Sequence, residues 1–200
     1  IIAGGEQAIR IAVEGAEDEP EQGAQDLADC KLNCQDVVVG ITASGRTPYV
    51  LGALTYAKSI GAKTIALSCN YNAAVSQCAD HGIEVIVGPE ILTGSTRMKA
   101  ATAHKMVLNM ISTVSMIKLG KVYENLMVDV HASNQKLIER ARNIVMSITG
   151  VAYEEAELVL NETNQEVKPA IVMIEAGVPF DVAKKSIQLA GGFVRQAIDI

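Results

Sequence analysis

The sequence predicts an α/β protein with a doubly wound parallel sheet, followed by a small helical subdomain at the C-terminal end. Three observations carry this. Short apolar, β-branched runs alternate with longer segments whose apolar residues recur every three or four positions. The short runs lack polar alternation, which is the mark of strands covered on both faces. After Gly150 the strand signals cease and helical segments alone remain.

The opening Ile1-Ile2-Ala3-Gly4-Gly5 reads as the end of a strand entering a turn, with no targeting segment before it. The chain is therefore expected to begin in mid-domain, with part of any site upstream. A helix is expected from near Pro20. Asp36–Ile41 is a buried strand, and Pro48–Ile60 follows as a helix that Gly61 ends. The cycle repeats with Lys63–Ser68 as strand and Ala73–His81 as helix, then with Ile83–Val87 as strand. Right-handed crossovers between such strands make the sheet parallel. From Ser95 to about Leu119 one long helix carries Ala100, Ala103, Val107, Met110, Val114 and Ile117 as an apolar stripe. Such a stripe serves a core, as in any buried helix, or a subunit interface.

A helix over about Ser133–Ser147 leads to three short ones, Tyr153–Asn161, Val167–Glu175 and Phe180–Leu189, punctuated by Pro169, Gly177, Pro179 and Gly191-Gly192. This tail faintly resembles ubiquitin-associated three-helix folds; a generic helical cap is the alternative. The expected division is a ligand-binding domain over 1–132 and a helical subdomain over 133–200.

The 200 residues and 21.2 kDa suit one ordinary domain with a small appendage. A hydrophobic fraction of 49% with 20% charged residues excludes a disordered chain. No uninterrupted apolar run approaches the roughly 20 residues of a membrane helix, so a soluble globular protein is expected. The formal charge of −6, from 23 acidic and 17 basic side chains, argues against nucleic acid or an anionic membrane as partner. Cys30, Cys34, Cys69 and Cys78 lack the paired spacing of a zinc site and read as reduced thiols of a cytoplasmic protein. His81, His104 and His131 are far apart and form no ligand motif, so no metal is expected.

Three segments concentrate reactive side chains. Ile41-Thr42-Ala43-Ser44-Gly45-Arg46-Thr47-Pro48 lies where a strand ends and a helix begins, the place where open α/β sheets collect ligands. Ser44 and Thr47 offer hydroxyls, Gly45 permits close backbone approach, and the helix N-terminus favours an anion. A phosphate cradle and a plain Ser/Thr helix cap both fit this pattern. Gly88-Pro89-Glu90 through Lys99 follows the third strand and supplies Glu90, Ser95, Thr96, Arg97 and Lys99 at the same end of the sheet. Ser95 or Thr96 would otherwise cap the long helix, with Glu90 a solvated acid. Ala12-Val13-Glu14-Gly15-Ala16-Glu17-Asp18-Glu19 is an acidic cluster before a helix, where the dipole alone favours acids, and taken by itself it reads as an exposed charge run. A general base there needs burial or a neighbouring group to tune it.

Taken together, Ile2-Ala3-Gly4-Gly5-Glu6, Ala12 through Asp18, Ala43 through Tyr49, Gly94-Ser95-Thr96-Arg97-Met98-Lys99-Ala100 and Asn125 through Val130 closely resemble the bacterial N-acetylmuramic acid 6-phosphate etherases. The resemblance covers essentially the whole chain in the family's motif order. The stretch from Gly88 to Lys99 is similar to a signature shared with the glucokinase regulatory protein, and both families have the sugar isomerase fold that binds phosphosugars.

The resemblance implies a cytoplasmic carbon–oxygen lyase of cell-wall recycling. It would cleave the D-lactyl ether of N-acetylmuramic acid 6-phosphate to N-acetylglucosamine 6-phosphate and D-lactate, without metal or organic cofactor. In the ring-opened sugar, the aldehyde acidifies the hydrogen on carbon 2. A carboxylate removes it, lactate leaves carbon 3, and water adds, so one acid and one base suffice. Of the family's two proton-transferring glutamates, one matches Glu17; the other, with a first Gly- and Ser-rich phosphate loop, is expected upstream of Ile1. By fold analogy Ser44 and Thr47, with Gly45, hold the phosphate, and Ser95 and Thr96 assist. Glu90 matches a proton-transferring position in the isomerase half of glucosamine-6-phosphate synthase, and here takes a supporting role. His104 stands where the family is expected to have Gln. The family implies a homodimer with the site near the interface, to which the Ala100–Ile117 stripe could contribute.

Two other functions suit the same loops. A non-catalytic phosphosugar sensor would use Ser44 and Ser95 to bind ligand and would have no need of Glu17. A phosphosugar isomerase would use the acidic carbon 2 hydrogen with no leaving group on carbon 3.

Overall fold

The computed structural model describes residues 1–130 and 132–200; His131 lies outside them. The chain divides into two compact units, Ile1–Asn109 and Met110–Ile200.

The first unit is α/β. A short turn of helix, α1 (Gly5–Ala8), and a 3-10 turn at Ala16–Asp18 precede α2 (Pro20–Asp29), which starts with proline in its first turn. Then come β1 (Val37–Ile41), α3 (Pro48–Ser59), β2 (Lys63–Ser68), α4 (Ala74–Cys78) and β3 (His81–Glu84). The strands form a parallel sheet in the order β1-β2-β3, with Val39 opposite Ile65 and Ile65 opposite His81. Helix α3 packs on β1 and β2, α4 packs on β2 and β3, and the two helices touch each other. Both crossovers therefore lie on one face, as two successive right-handed connections in one direction require.

One core cluster joins Leu54, Ala66, Val75 and Ala79 between these helices and the sheet; another joins Leu27, Ala53, Ala57 and Ala62. The second depends on α2 lying directly against α3. A Cβ on Gly52 would stand 1.9 Å from the Pro20 carbonyl oxygen, and one on Gly23 would stand 2.1 Å from that of Tyr49. Two glycines thus let backbone touch backbone.

The third strand runs over His81–Glu84, earlier than the expected Ile83–Val87, and α4 stops at Cys78. The cause is Asp80. Its carboxylate accepts from the Thr64 N–H (2.9 Å) and the Thr64 hydroxyl (3.0 Å), while its own N–H donates to Thr64 Oγ1 (2.9 Å). That clasp pins the chain beside the start of β2, so pairing begins at once.

Helix α5 (Met98–Lys118) begins three residues later than the spacing suggests. Of its 21 residues Ala100 is the buried one. Met110, Val114 and Ile117 are 56%, 49% and 47% exposed, so that part of the stripe is not core, whereas Ala100 is buried and Ala103 and Val107 are half-buried. No helix among the described residues is long and apolar enough to cross a membrane.

The second unit contains an antiparallel hairpin, β4 (Val122–Tyr123) and β5 (Leu126–Met127), which the sequence reading did not include. Five helices follow: α6 (Gln135–Thr149), α7 (Tyr153–Glu162), α8 (Val167–Ala176), α9 (Phe180–Leu189) and α10 (Val194–Ile198). Asn134 caps α6 by accepting from the Leu137 N–H at 3.0 Å, and Gly150 in the left-handed region ends it. Val145, Leu160, Ile171 and Val172 are fully buried and form the centre of this unit. Arg142 of α6 pairs with Glu139 on its own helix and joins α6 to α7 by pairing with Glu157.

Candidate functional site

Strand β1 ends at Ile41, and the next six residues form the loop that enters α3. Thr47 occupies the N-cap position of α3, yet its side chain makes no capping bond. Its hydroxyl lies 2.6 Å from that of Thr42, which in turn lies 3.2 Å from Ser44 Oγ. The two readings of this loop thereby separate: Thr47 is not spent as a helix cap. Three hydroxyls instead cluster at the start of a helix whose first-turn N–H groups no side chain covers.

The backbone is shaped to the same end. Gly45 has φ of +75°, and a Cβ there would stand 2.5 Å from the Ala73 Cβ, so any side chain at this position collides with the turn after β2. The Gly45 N–H donates to the Thr42 carbonyl at 3.2 Å, closing the loop on itself.

A cavity of about 580 Å³ opens beside β1. Glu17, Thr42, Ala43, Thr47 and Tyr49 are among the residues lining it. Glu17 is exposed and reaches the cavity from the 3-10 turn that rests on α3. Gly15, at φ +76°, turns the chain into that element. The Tyr49 hydroxyl donates to Asp26 Oδ2 at 2.5 Å; burial, then the Asp26 carboxylate, pushes the phenol well above its ordinary pKa. Tyr49 is therefore a fixed neutral donor that ties α3 to α2, not a proton shuttle.

Ser44, Gly45, Glu90, Ser95 and Thr96 do not line this cavity. Glu90 is committed elsewhere: its carboxylate accepts from the N–H groups of Arg97 (2.9 Å), Lys99 (3.0 and 3.1 Å) and Ala100 (3.1 Å). The Lys99 bond leads in holding its pKa below the usual carboxylate range, opposed by burial and aided by the other two. Glu90 thus caps α5, and neither Ser95 nor Thr96 is needed for that task. Ser95 is half-buried and Thr96 exposed in the loop that Glu90 closes.

His104, on the second turn of α5, stands with Nε2 3.3 Å from the Sγ of buried Cys69, just past β2. Burial lowers the imidazole pKa, while burial and then the Glu90 charge raise that of the thiol. Both groups are neutral at pH 7, a polar contact and not an ion pair. Among the described residues no three His, Cys, Asp or Glu side chains gather as metal ligands; His131 lies outside them.

Sequence reasoning did not single out Thr42, which is 8% exposed and links the other two hydroxyls. The signal was the spacing of hydroxyls at 42, 44 and 47 in one loop. Asn70 was also missed, and no local pattern marks it; its side chain crosses to the Ser44 loop from the end of β2.

Residues 1–58 match the family model of the glucokinase regulatory protein N-terminal SIS domain. Across the whole chain the similarity is to N-acetylmuramic acid 6-phosphate etherases. The protein of that name from Rhizobium rhizogenes is 58% identical over 198 residues, 99% of this chain and 64% of its own length. That from Bacillus subtilis is 55% identical over 199 residues, 100% of this chain and 66% of its own length. The chain thus spans slightly less than two thirds of these two relatives. The Lactococcus lactis protein is 56% identical over 199 residues, 100% of this chain and 67% of its own length. Identity above one half, sustained from end to end, leaves one conclusion: this chain belongs to the N-acetylmuramic acid 6-phosphate etherase family.

Proposed function

We propose that this protein is a carbon–oxygen lyase that cleaves the D-lactyl ether of N-acetylmuramic acid 6-phosphate, yielding N-acetylglucosamine 6-phosphate and D-lactate. The observation that carries the reading is the meeting of Glu17 with Thr42 and Thr47 around one cavity of about 580 Å³. That volume falls within the roughly 300–1,000 Å³ of small-molecule sites. A phosphate held by the Thr42, Ser44 and Thr47 hydroxyls at the N-terminus of α3 places the sugar carbons within the same cavity. Glu17 then exchanges a proton with the substrate: the carbon 2 hydrogen leaves, the carbon 3–oxygen bond breaks with lactate as leaving group, and water adds to the unsaturated aldehyde. Gly45 admits the phosphate to the backbone, while Glu90 shapes the loop before α5 that carries Ser95 and Thr96. The reaction balances with proton transfers and water alone, and calls for no cofactor.

The same reading takes the fold to be the doubly wound sugar isomerase type, with the phosphosugar-binding part over 1–132 and a helical subdomain over 133–200. The three strands of the parallel sheet wind in one direction. It places the protein in the cytoplasm, in peptidoglycan recycling. It pairs two copies through the exposed Met110, Val114 and Ile117 face of α5, with the site near the interface. A molar mass equal to one chain by light scattering, over a wide concentration range, overturns the dimer.

The match of residues 1–58 to the regulatory-protein domain favours a second reading, a phosphosugar sensor without turnover. The deciding experiment is D-lactate release from N-acetylmuramic acid 6-phosphate by the protein at its full natural length. Release establishes the lyase. A folded protein that binds the phosphosugar and releases no lactate is a sensor, and one that instead yields a ketose phosphate is an isomerase.

A further inference from the structure

We infer that Asn70 is a positioning residue for the Ala43–Gly45 loop, with Glu84 holding the turn from which it acts. The inference rests on the reading of that loop as the phosphate cradle.

The three carbonyls of the loop all face the segment after β2. The Ala43 oxygen accepts from the Cys69 N–H at 3.1 Å and from Asn70 Nδ2 at 3.3 Å. The Ser44 oxygen accepts from the same Asn70 nitrogen at 3.1 Å, and the Gly45 oxygen accepts from the Val75 N–H at 3.0 Å. In a planar trans peptide the N–H points opposite to the C=O. Holding the carbonyls of Ala43 and Gly45 on one side therefore turns the N–H groups of Ser44 and Arg46 to the other. Cys69 and Val75 contribute through backbone, so Asn70 is the side chain that fixes two successive peptides. An amide nitrogen suits the task because it carries two N–H bonds, one for each carbonyl, where a carboxylate carries none.

Asn70 is itself held from behind. The Ser68 hydroxyl, fully buried, donates to the Asn70 carbonyl at 3.3 Å. Glu84, the last residue of β3 and the register partner of Ser68, accepts from the N–H groups of Asn72 (3.0 Å) and Ala73 (2.9 Å). Asn72 sits at φ +50°, a backbone state that this pair of bonds secures. Both bonds are charge-assisted, since an ionised carboxylate accepts them. The third strand thus supports the turn after the second, and that turn supports the loop after the first.

The test compares Asn70→Ala, Asn70→Asp and Glu84→Gln with the parent, in the protein at its full natural length. It reads kcat and KM for N-acetylmuramic acid 6-phosphate, the inhibition constant of inorganic phosphate, and Tm. Loss of the two amide bonds is expected to raise KM and the phosphate inhibition constant together by about tenfold, more for Asn70→Asp, with a smaller change in kcat. Glu84→Gln is expected to raise the same two constants less. Unchanged constants in folded Asn70 variants overturn the inference even if Tm falls, because a merely structural side chain alters the folded fraction and not the affinity. Should neither Asn70 variant fold, unchanged constants in Glu84→Gln overturn it instead. A parent that binds neither phosphate nor phosphosugar overturns the proposed function, a result distinct from variants that bind as the parent does.

Discussion

Thr47 Oγ1 lies 2.6 Å from Thr42 Oγ1, although Thr47 holds the N-cap position of α3. A threonine there ordinarily turns its hydroxyl onto the N–H groups of its own helix. Here it turns towards the strand, and the helix N-terminus keeps its donors free for an anion.

Thr42 is buried and organises this cluster. Thr42→Val preserves its shape and removes its hydroxyl, which should weaken inorganic phosphate binding by roughly two- to tenfold, the worth of one hydrogen bond of about 0.5–1.5 kcal/mol. Titration calorimetry measures this directly. Unaltered phosphate affinity removes Thr42 from the cradle.

Glu17 lines the same cavity as Thr42 and Thr47. Glu17→Gln should lower kcat for D-lactate release by about 10²–10⁴-fold, the usual worth of a general acid or base, while phosphosugar affinity stays at the parental value. Full turnover in this variant assigns the proton transfer to another group.

Glu90 links stability to pH. Its folded pKa lies below the ordinary range because three N–H groups of the α5 start donate to it, that of Lys99 first. Its contribution is therefore complete above the unfolded glutamate pKa of about 4.3, and is lost as the pH falls through the lower folded value. The protection of the Arg97, Lys99 and Ala100 amides, taken relative to their intrinsic exchange rates, should fall over that acid window. In Glu90→Gln exchange at these amides should be faster already at pH 7. Equal protection in variant and parent would mean that the cap contributes nothing to the helix start.

At Gly52 and Gly23, α2 meets α3 backbone to backbone. Gly52→Ala places a methyl group against the Pro20 carbonyl, and the helices must separate at a cost of roughly 1–3 kcal/mol or more. Thermal unfolding should show a lowered Tm, and cavity-dependent phosphate binding should weaken as the Glu17 turn shifts with α2. An unchanged Tm contradicts the close approach.

Much of the α/β half was legible because its signals are local. The run Val37-Val38-Val39 and the three- and four-residue spacing in Pro48–Ser59 are properties of neighbouring residues, and β1 and α3 formed there. Both β2 and α9 carry the expected bounds, Lys63–Ser68 and Phe180–Leu189. The third strand shifted because Asp80 bonds to Thr64, sixteen positions away, and no window of sequence contains that pair. The β4–β5 hairpin was missed because its strands have two residues each, too short for any periodicity.

For the site, residue types and their spacing pointed to three candidate segments: a hydroxyl-rich loop after β1, an acidic run before α2, and a charged loop before α5. They could not decide how those groups are spent. That Thr47 faces Thr42 and not its own helix, that Glu90 is consumed as a cap, and that Asn70 reaches back to Ala43 and Ser44 are settled by tertiary structure. The physical reason is common to all three: each polar group takes the partner that the packed backbone brings within hydrogen-bonding distance. For Asn70 those partners lie 27 and 26 positions away along the chain.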